Sequence, residues 1–91
     1  MEVVAIVGVG LIGGSFALAL REAGYSGQML GVSSDRTIAE AMRLGVIDAG
    51  ATLEEACGRA DLVYLAGPIH GILETLPKVA KFVRPGALVT D

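Results

Sequence analysis

The sequence predicts an α/β fold: a parallel sheet with helices on both faces. Three observations carry this. Apolar runs of strand length alternate with longer segments of helical periodicity. The runs at 3–8 and, after Asp61, at 62–66 are predominantly apolar, as strands covered on both faces are, and do not alternate as half-exposed strands do. Glycines punctuate the junctions, at Gly8, Gly24, Gly45, Gly67 and Gly86.

Residues 3–8 form the first strand, and Gly8-x-Gly10-x-x-Gly13 leads straight into a helix over 11–23. Leu11, Ile12, Phe16, Leu18, Ala19 and Leu20 give that helix a broad apolar face, and Gly24 is its C-terminal stop. Residues 28–33 read as a second strand. Thr37 to Leu44 reads as a second helix, with Ile38, Ala41, Met42 and Leu44 apolar and Gly45 closing it. Val46 to Ala51 is a turn with room for a short edge strand. Thr52 is an N-cap with Glu55 as its capping-box partner, opening a short helix to about Gly58. Residues 61–66 are the next buried strand. Ile72, Leu73, Leu76, Val79, Ala80 and Val83 set a helix over 70–82. Pro77 interrupts that pattern, so the helix is expected to kink or to start nearer 76. Pro85-Gly86 turns the chain into a last strand, 87–90. The expected sheet order is 3-2-1-4-5, the Rossmann arrangement, truncated after about the fifth strand.

The glycine turn carries the function. Gly8 permits the tight turn out of the strand. Gly10 lets a pyrophosphate approach the backbone. Gly13 lets helix and strand pack closely. The free N–H groups at the helix start face an anion, aided by the helix dipole. Gly8, Gly10, Leu11, Ile12 and Gly13 are therefore read as a dinucleotide site. The competing reading is a glycine-rich turn without a ligand. Gly67, Pro68 and Ile69 follow the central strand at the sheet edge that faces the ligand crevice, and are read as cofactor contacts. His70 comes next and is read as opening the following helix, without a catalytic role. No sequence neighbour orients it.

Cofactor choice turns on the end of the second strand. NAD-binding folds place Asp or Glu about twenty residues past the glycines, to hold the ribose hydroxyls. Here Ser33 stands there, followed by Ser34, Asp35 and Arg36. A carboxylate would repel a 2′-phosphate, whereas serine hydroxyls can donate to it and Arg36 supplies charge. Ser33, Ser34 and Arg36 thus favour NADP over NAD. Asp35 argues the other way, and Ser33 has an ordinary reading as a cap or turn residue.

Composition excludes several classes. Of 91 residues, 53% are hydrophobic and 19% charged, with net charge −3. That gives nucleic-acid binding no electrostatic support. No run approaches the about 18 apolar residues of a membrane span. Met1 lies too close to the first strand for a signal peptide, and the single Cys57 fits a reducing compartment, so a cytoplasmic location is expected. Cys57 reads as a helix residue, Tyr64 as core, and Asp48 and Asp61 as turn and strand-start residues. No metal site is expected.

Together the motifs resemble the prephenate and arogenate dehydrogenases. The resemblance rests on Val7-Gly8-Val9-Gly10-Leu11-Ile12-Gly13-Gly14-Ser15, Leu44-Gly45-Val46-Ile47-Asp48 and Ala60-Asp61-Leu62-Val63. It rests also on Pro68-Ile69 and on Pro85-Gly86-Ala87-Leu88-Val89-Thr90-Asp91. It spans essentially the whole chain. It implies NAD(P)-dependent oxidative decarboxylation of prephenate or arogenate in tyrosine biosynthesis, with this chain as an incomplete Rossmann domain over 1–91. It further implies that the catalytic histidine and substrate arginines lie downstream, partly in a helical domain that makes a homodimer, and that the fragment alone is inactive. His70 does not match that histidine, so no catalytic residue is carried over. Ser33 resembles the NADP-type members, although an arginine often found after that serine is Ser34 here. Other two-domain dehydrogenases or reductases of the hydroxyacid or imine type share the same turn. A non-catalytic NAD(P)H-sensing module is the alternative of a different class.

Overall fold

The computed structural model describes residues 1–67 and 69–91, with Ile69 and His70 described as helical backbone only. Five strands form one parallel sheet: β1 (Val3–Val7), β2 (Gln28–Val32), β3 (Ala49–Gly50), β4 (Leu62–Leu65) and β5 (Leu88–Thr90). Their order is β3-β2-β1-β4-β5, as expected. Four helices alternate with them: α1 (Leu11–Glu22), α2 (Asp35–Arg43), α3 (Leu53–Arg59) and α4 (Ile69–Phe82).

Strand alternation divides the core in two. Val4 and Ile6 of β1, Met29 of β2 and Leu62 of β4 pack with Ala17 of α1 and Ala41 of α2. Ala5, Leu30, Val63 and Leu65 point to the other face, against Ala56 and Cys57 of α3 and Val79 of α4. Both faces of the central strands are thus covered, which is why those strands read as unbroken apolar runs. The strand order reverses between β1 and β4, so the connections leaving their C-terminal ends run to opposite faces of the sheet and leave a crevice.

The helix ends follow the sequence closely. Gly24 (φ 102°) and Gly45 (φ 73°) stop α1 and α2 in the left-handed region. Tyr25 N donates to Leu20 O, and Val46 N to Ala41 O, which completes the caps. The Thr52–Glu55 capping box of α3 is present. Two expectations are corrected. Helix α2 starts at Asp35 and not Thr37, because Ser34 accepts from Thr37 N as N-cap; the cap is Ser34, not Ser33. Helix α4 runs unbroken through Pro77 and does not begin near 76. Val79 is buried, and Ile72 and Phe82 pack on the same face on either side of the proline, holding the helix to the sheet. Pro77 itself is exposed, on the side of the helix turned away from the sheet.

Two carboxylates fasten the edge of the sheet opposite the crevice. Asp61 Oδ2 accepts from Glu2 N (2.7 Å) and Val3 N (2.9 Å). Asp61 also pairs with Arg84, whose Nε donates to Ala60 O. Asp48 Oδ2 accepts from Met29 N (2.7 Å) and from Arg21 Nη2 (2.8 Å). Both residues begin as turn and strand-start positions, and both do more: they satisfy strand N–H groups that have no partner in the sheet.

Candidate functional site: the glycine turn and its crevice

The turn after β1 is held from beneath. Gly8 N donates to Val32 O at 2.7 Å, and Gly8 has φ 91°. A Cβ on Gly8 would overlap the Ala66 carbonyl oxygen. A Cβ on Gly13 would overlap the Gly8 carbonyl oxygen and lie 3.0 Å from Ile6 Cγ2. Both glycines are therefore required by the chain's own packing. Gly10 is different. Among the described residues nothing lies within 4 Å of a Cβ built there, and its φ of −104° is outside the left-handed region. Packing among the described residues thus gives no reason for a glycine at 10.

Gly10 is also the N-cap of α1, with no side-chain cap and no acidic residue in the first turn. The leading N–H groups of a 12-residue helix are thus open to an anion, with no carboxylate competing for the positive end of the dipole. Above them lies a cavity of about 360 Å³ lined by Gly8, Gly10, Leu11, Ile12, Gly13 and Gly67, with Ala66. It brings together six of the residues expected from sequence. Leu11 and Ile12 are 88% and 62% exposed, so the turn sets two apolar side chains beside the open N–H groups of the helix start. Pro68 lies outside the described residues, as do the side chains of Ile69 and His70.

A second cavity, about 240 Å³, opens toward β2 and α4 and includes Val7, Val32, Leu65, Ile72 and Thr75. The sequence reading missed Ile72 and Thr75. Their three-residue spacing just after the crevice edge is the signal that places both on one face of α4. The third cavity is a groove of about 450 Å³ between α1 and α2, flanked by Leu11, Leu18, Arg36, Glu40 and Leu44. In that groove the Arg43 guanidinium holds the Glu40 carboxyl below the usual carboxylate range.

The cluster expected at the end of β2 is spread out. Ser33 is exposed and lines none of these cavities. The Ser34 hydroxyl is engaged as the α2 cap, accepting from Thr37 N and donating to Thr37 Oγ1 at 2.9 Å. Arg36 lines the interhelical groove beside Gly10. Among the described residues it forms no ion pair, whereas Arg21, Arg43 and Arg84 do. No group of three metal-ligating side chains gathers among the described residues. No helix there is long and apolar enough to cross a membrane.

Residues 16–91 match the family model described as prephenate dehydrogenase, nucleotide-binding domain. The chain belongs to this family. The matched span starts beyond the glycine turn, so turn and match are separate observations. The chain is 36% identical to the prephenate dehydrogenase of Lactococcus lactis subsp. cremoris (strain MG1363), over all of this chain and 26% of that protein. It superposes on prephenate dehydrogenase from A. aeolicus, solved in complex with hydroxyphenyl propionate and NAD+. The TM-score is 0.91 and the identity 38%, over 100% of this chain and 33% of that one. Synechocystis arogenate dehydrogenase matches with TM-score 0.87 and 35% identity, over 99% and 32% of the two chains. This member of the family thus spans between a quarter and a third of the relatives' length, and that span is a Rossmann-type nucleotide-binding unit.

Proposed function

We propose that residues 1–91 are the cofactor-binding part of a prephenate or arogenate dehydrogenase, an NAD(P)-dependent oxidoreductase. Gly10 carries the reading: the protein's own packing leaves that position free, and it faces open space at a helix start with unfilled N–H groups. The residues fit a dinucleotide along their whole length. Gly10 to Gly13 hold the pyrophosphate through backbone N–H groups. Gly8 shapes the turn. The cavity toward β2 and α4 takes the adenine end, on the same side as Ser33. The cavity over Leu11, Ile12 and Gly67 takes the nicotinamide end, and Pro68 and Ile69 are read from the sequence as further cofactor contacts. When bound, the cofactor supplies a hydride acceptor. This chain's residues bind and orient it and exclude water with apolar side chains; they hold no proton for the reaction. The substrate, prephenate or arogenate, is bound by other parts of the intact protein. Those parts also form the homodimer, and the enzyme works in the cytoplasm. Neither nucleic acid nor membrane is a partner.

The direct test is Gly10→Val. A branched side chain there enters the space assigned to the pyrophosphate, so calorimetry should show dinucleotide binding lost in a folded variant. Unchanged affinity would refute the site. Prephenate and arogenate, each with either cofactor, should give no turnover with these 91 residues alone. Clear turnover would move the chemistry into this chain.

The cofactor is read as NADP in preference to NAD. Ser33 supplies a hydroxyl where a carboxylate would repel the 2′-phosphate, and Arg36 is a cation without an ion-pair partner among the described residues. The positive end of α2 carries Asp35 in its first turn and does not add to this. With Ser34 committed to its cap, Ser33 and Arg36 carry the preference. It should amount to about 1–3 kcal/mol, the scale of hydrogen bonds to charged groups. Ser33→Asp should reverse the order. Equal or tighter NAD binding by the unmodified chain refutes the preference and assigns the ribose to Asp35.

A further inference from the structure

Among the described residues, the cavity between the ends of β1, β2 and β4 and the first turns of α4 has one polar side chain. Val7, Val32, Leu65 and Ile72 wall it with aliphatic groups, and Thr75 alone brings a hydroxyl. Gly71 and Thr75 stand four residues apart on the same face of α4, so the glycine leaves room in front of the threonine. Among the described residues nothing lies within 4 Å of a Cβ built on Gly71. The threonine hydroxyls that bond within the described residues are those of Thr37 and Thr52, both at helix caps. Thr75 has no such partner and is half-buried. A small, mostly apolar space with one convergent polar group is the form of a site for a heteroaromatic ring. The walls take the ring faces, and the single polar group fixes its rotation.

We infer that Thr75 is a specificity-determining residue: its hydroxyl hydrogen-bonds the polar edge of the adenine ring and sets the ring's rotation in the cavity. This rests on the dinucleotide reading above. The base belongs here and not at the other end of the crevice because the cavity abuts Val32, the last residue of β2, beside Ser33. A ring edge left without a partner in an aliphatic pocket forfeits its hydrogen bonds to water, so a lone hydroxyl weighs heavily in this position.

The test is calorimetric titration of the 91-residue chain with two ligands, ADP-ribose and ribose 5-diphosphate, which lacks the base. Thr75→Val keeps the side-chain shape and removes the hydroxyl. It should weaken ADP-ribose by about 3- to 10-fold, the range of one net hydrogen bond, and leave ribose 5-diphosphate unchanged. Thr75→Ser should retain most of the ADP-ribose affinity. Thr75→Ala, which favours the helix, repeats the deletion with a smaller side chain. If both ligands weaken together, Thr75 merely supports the fold, and the inference fails. If neither weakens while the unmodified chain binds ADP-ribose, the inference fails and the dinucleotide site stands. If the unmodified chain binds neither ligand, the dinucleotide reading itself falls.

Discussion

Gly13 and Gly14 are adjacent in one helix and should respond oppositely to the same substitution. Alanine at either position gains helix propensity of roughly 1 kcal/mol over glycine. At Gly14 the new Cβ would lie 3.8 Å from Val46 Cγ1, an ordinary van der Waals distance. Gly14→Ala should therefore stabilise by about 0.5–1 kcal/mol. At Gly13 the new Cβ would overlap the Gly8 carbonyl oxygen and press on Ile6 Cγ2 and Ala66 Cβ, at 3.0 and 3.3 Å. The oxygen is backbone, and its turn is fixed by the Gly8 N–Val32 O bond, so it cannot swing aside as a side chain would. Overpacking of this kind costs about 3 kcal/mol, the upper end of its range, and the propensity gain returns about 1. Gly13→Ala should thus destabilise by about 2 kcal/mol net, some 3 kcal/mol below Gly14→Ala. Urea unfolding followed by far-UV circular dichroism reads this directly. With a slope of about 1–1.5 kcal/mol per molar for a chain this small, the two midpoints should differ by about 2 M or more. The unfolding slopes should stay alike. If Gly13→Ala is as stable as the unmodified chain, strand and helix are not locked through this glycine, and the account of the turn is wrong.

Three other outcomes follow from the same geometry. Asp61→Ala removes the acceptor shared by Glu2 N and Val3 N together with the Arg84 pair, and should cost about 2–3 kcal/mol in the same urea assay; a loss under about 0.5 would show that water satisfies those groups equally well. Thr52→Ala breaks the capping box of α3 and should cost about 1 kcal/mol, with Glu55→Ala in the Thr52→Ala background adding little because the two bonds are reciprocal; additive losses would contradict that coupling. Cys57 is fully inaccessible, and burial pushes its thiol pKa up. The folded chain therefore holds the proton that the unfolded chain releases, so stability should fall as pH rises above the ordinary thiol range, about 8.5, and a Cys57→Ala variant should lack that part of the decline. Ellman's reagent should label Cys57 only as fast as the chain opens; rapid labelling under native conditions would show the thiol to be exposed.

Much of this protein is set by local backbone chemistry and is therefore written in the sequence. Gly8 must turn at positive φ, Gly24 and Gly45 must stop helices, and Thr52 with Glu55 must start one; each depends on a residue and its near neighbours. The sheet order is expected from the glycine turn, which goes with the 3-2-1-4-5 Rossmann arrangement; the single hand of the crossovers then fixes which face each helix covers, and with the reversal between β1 and β4 comes the crevice. Tertiary structure alone decided what depends on distant partners. Helix α4 survives Pro77 because Ile72, Val79 and Phe82 are held by the sheet, a contact that propensity does not contain. Asp61 reaches across 58 residues to Val3, and nothing near it in the chain announces that bond. Arg36 and Ser33 are three residues apart yet part company, because the first turn of α2 aims the arginine into the groove with α1. Thr75 enters the crevice only because α4 is laid against β4 with that face inward. A helix fixes which residues share a face; the packing of the whole domain fixes where that face looks.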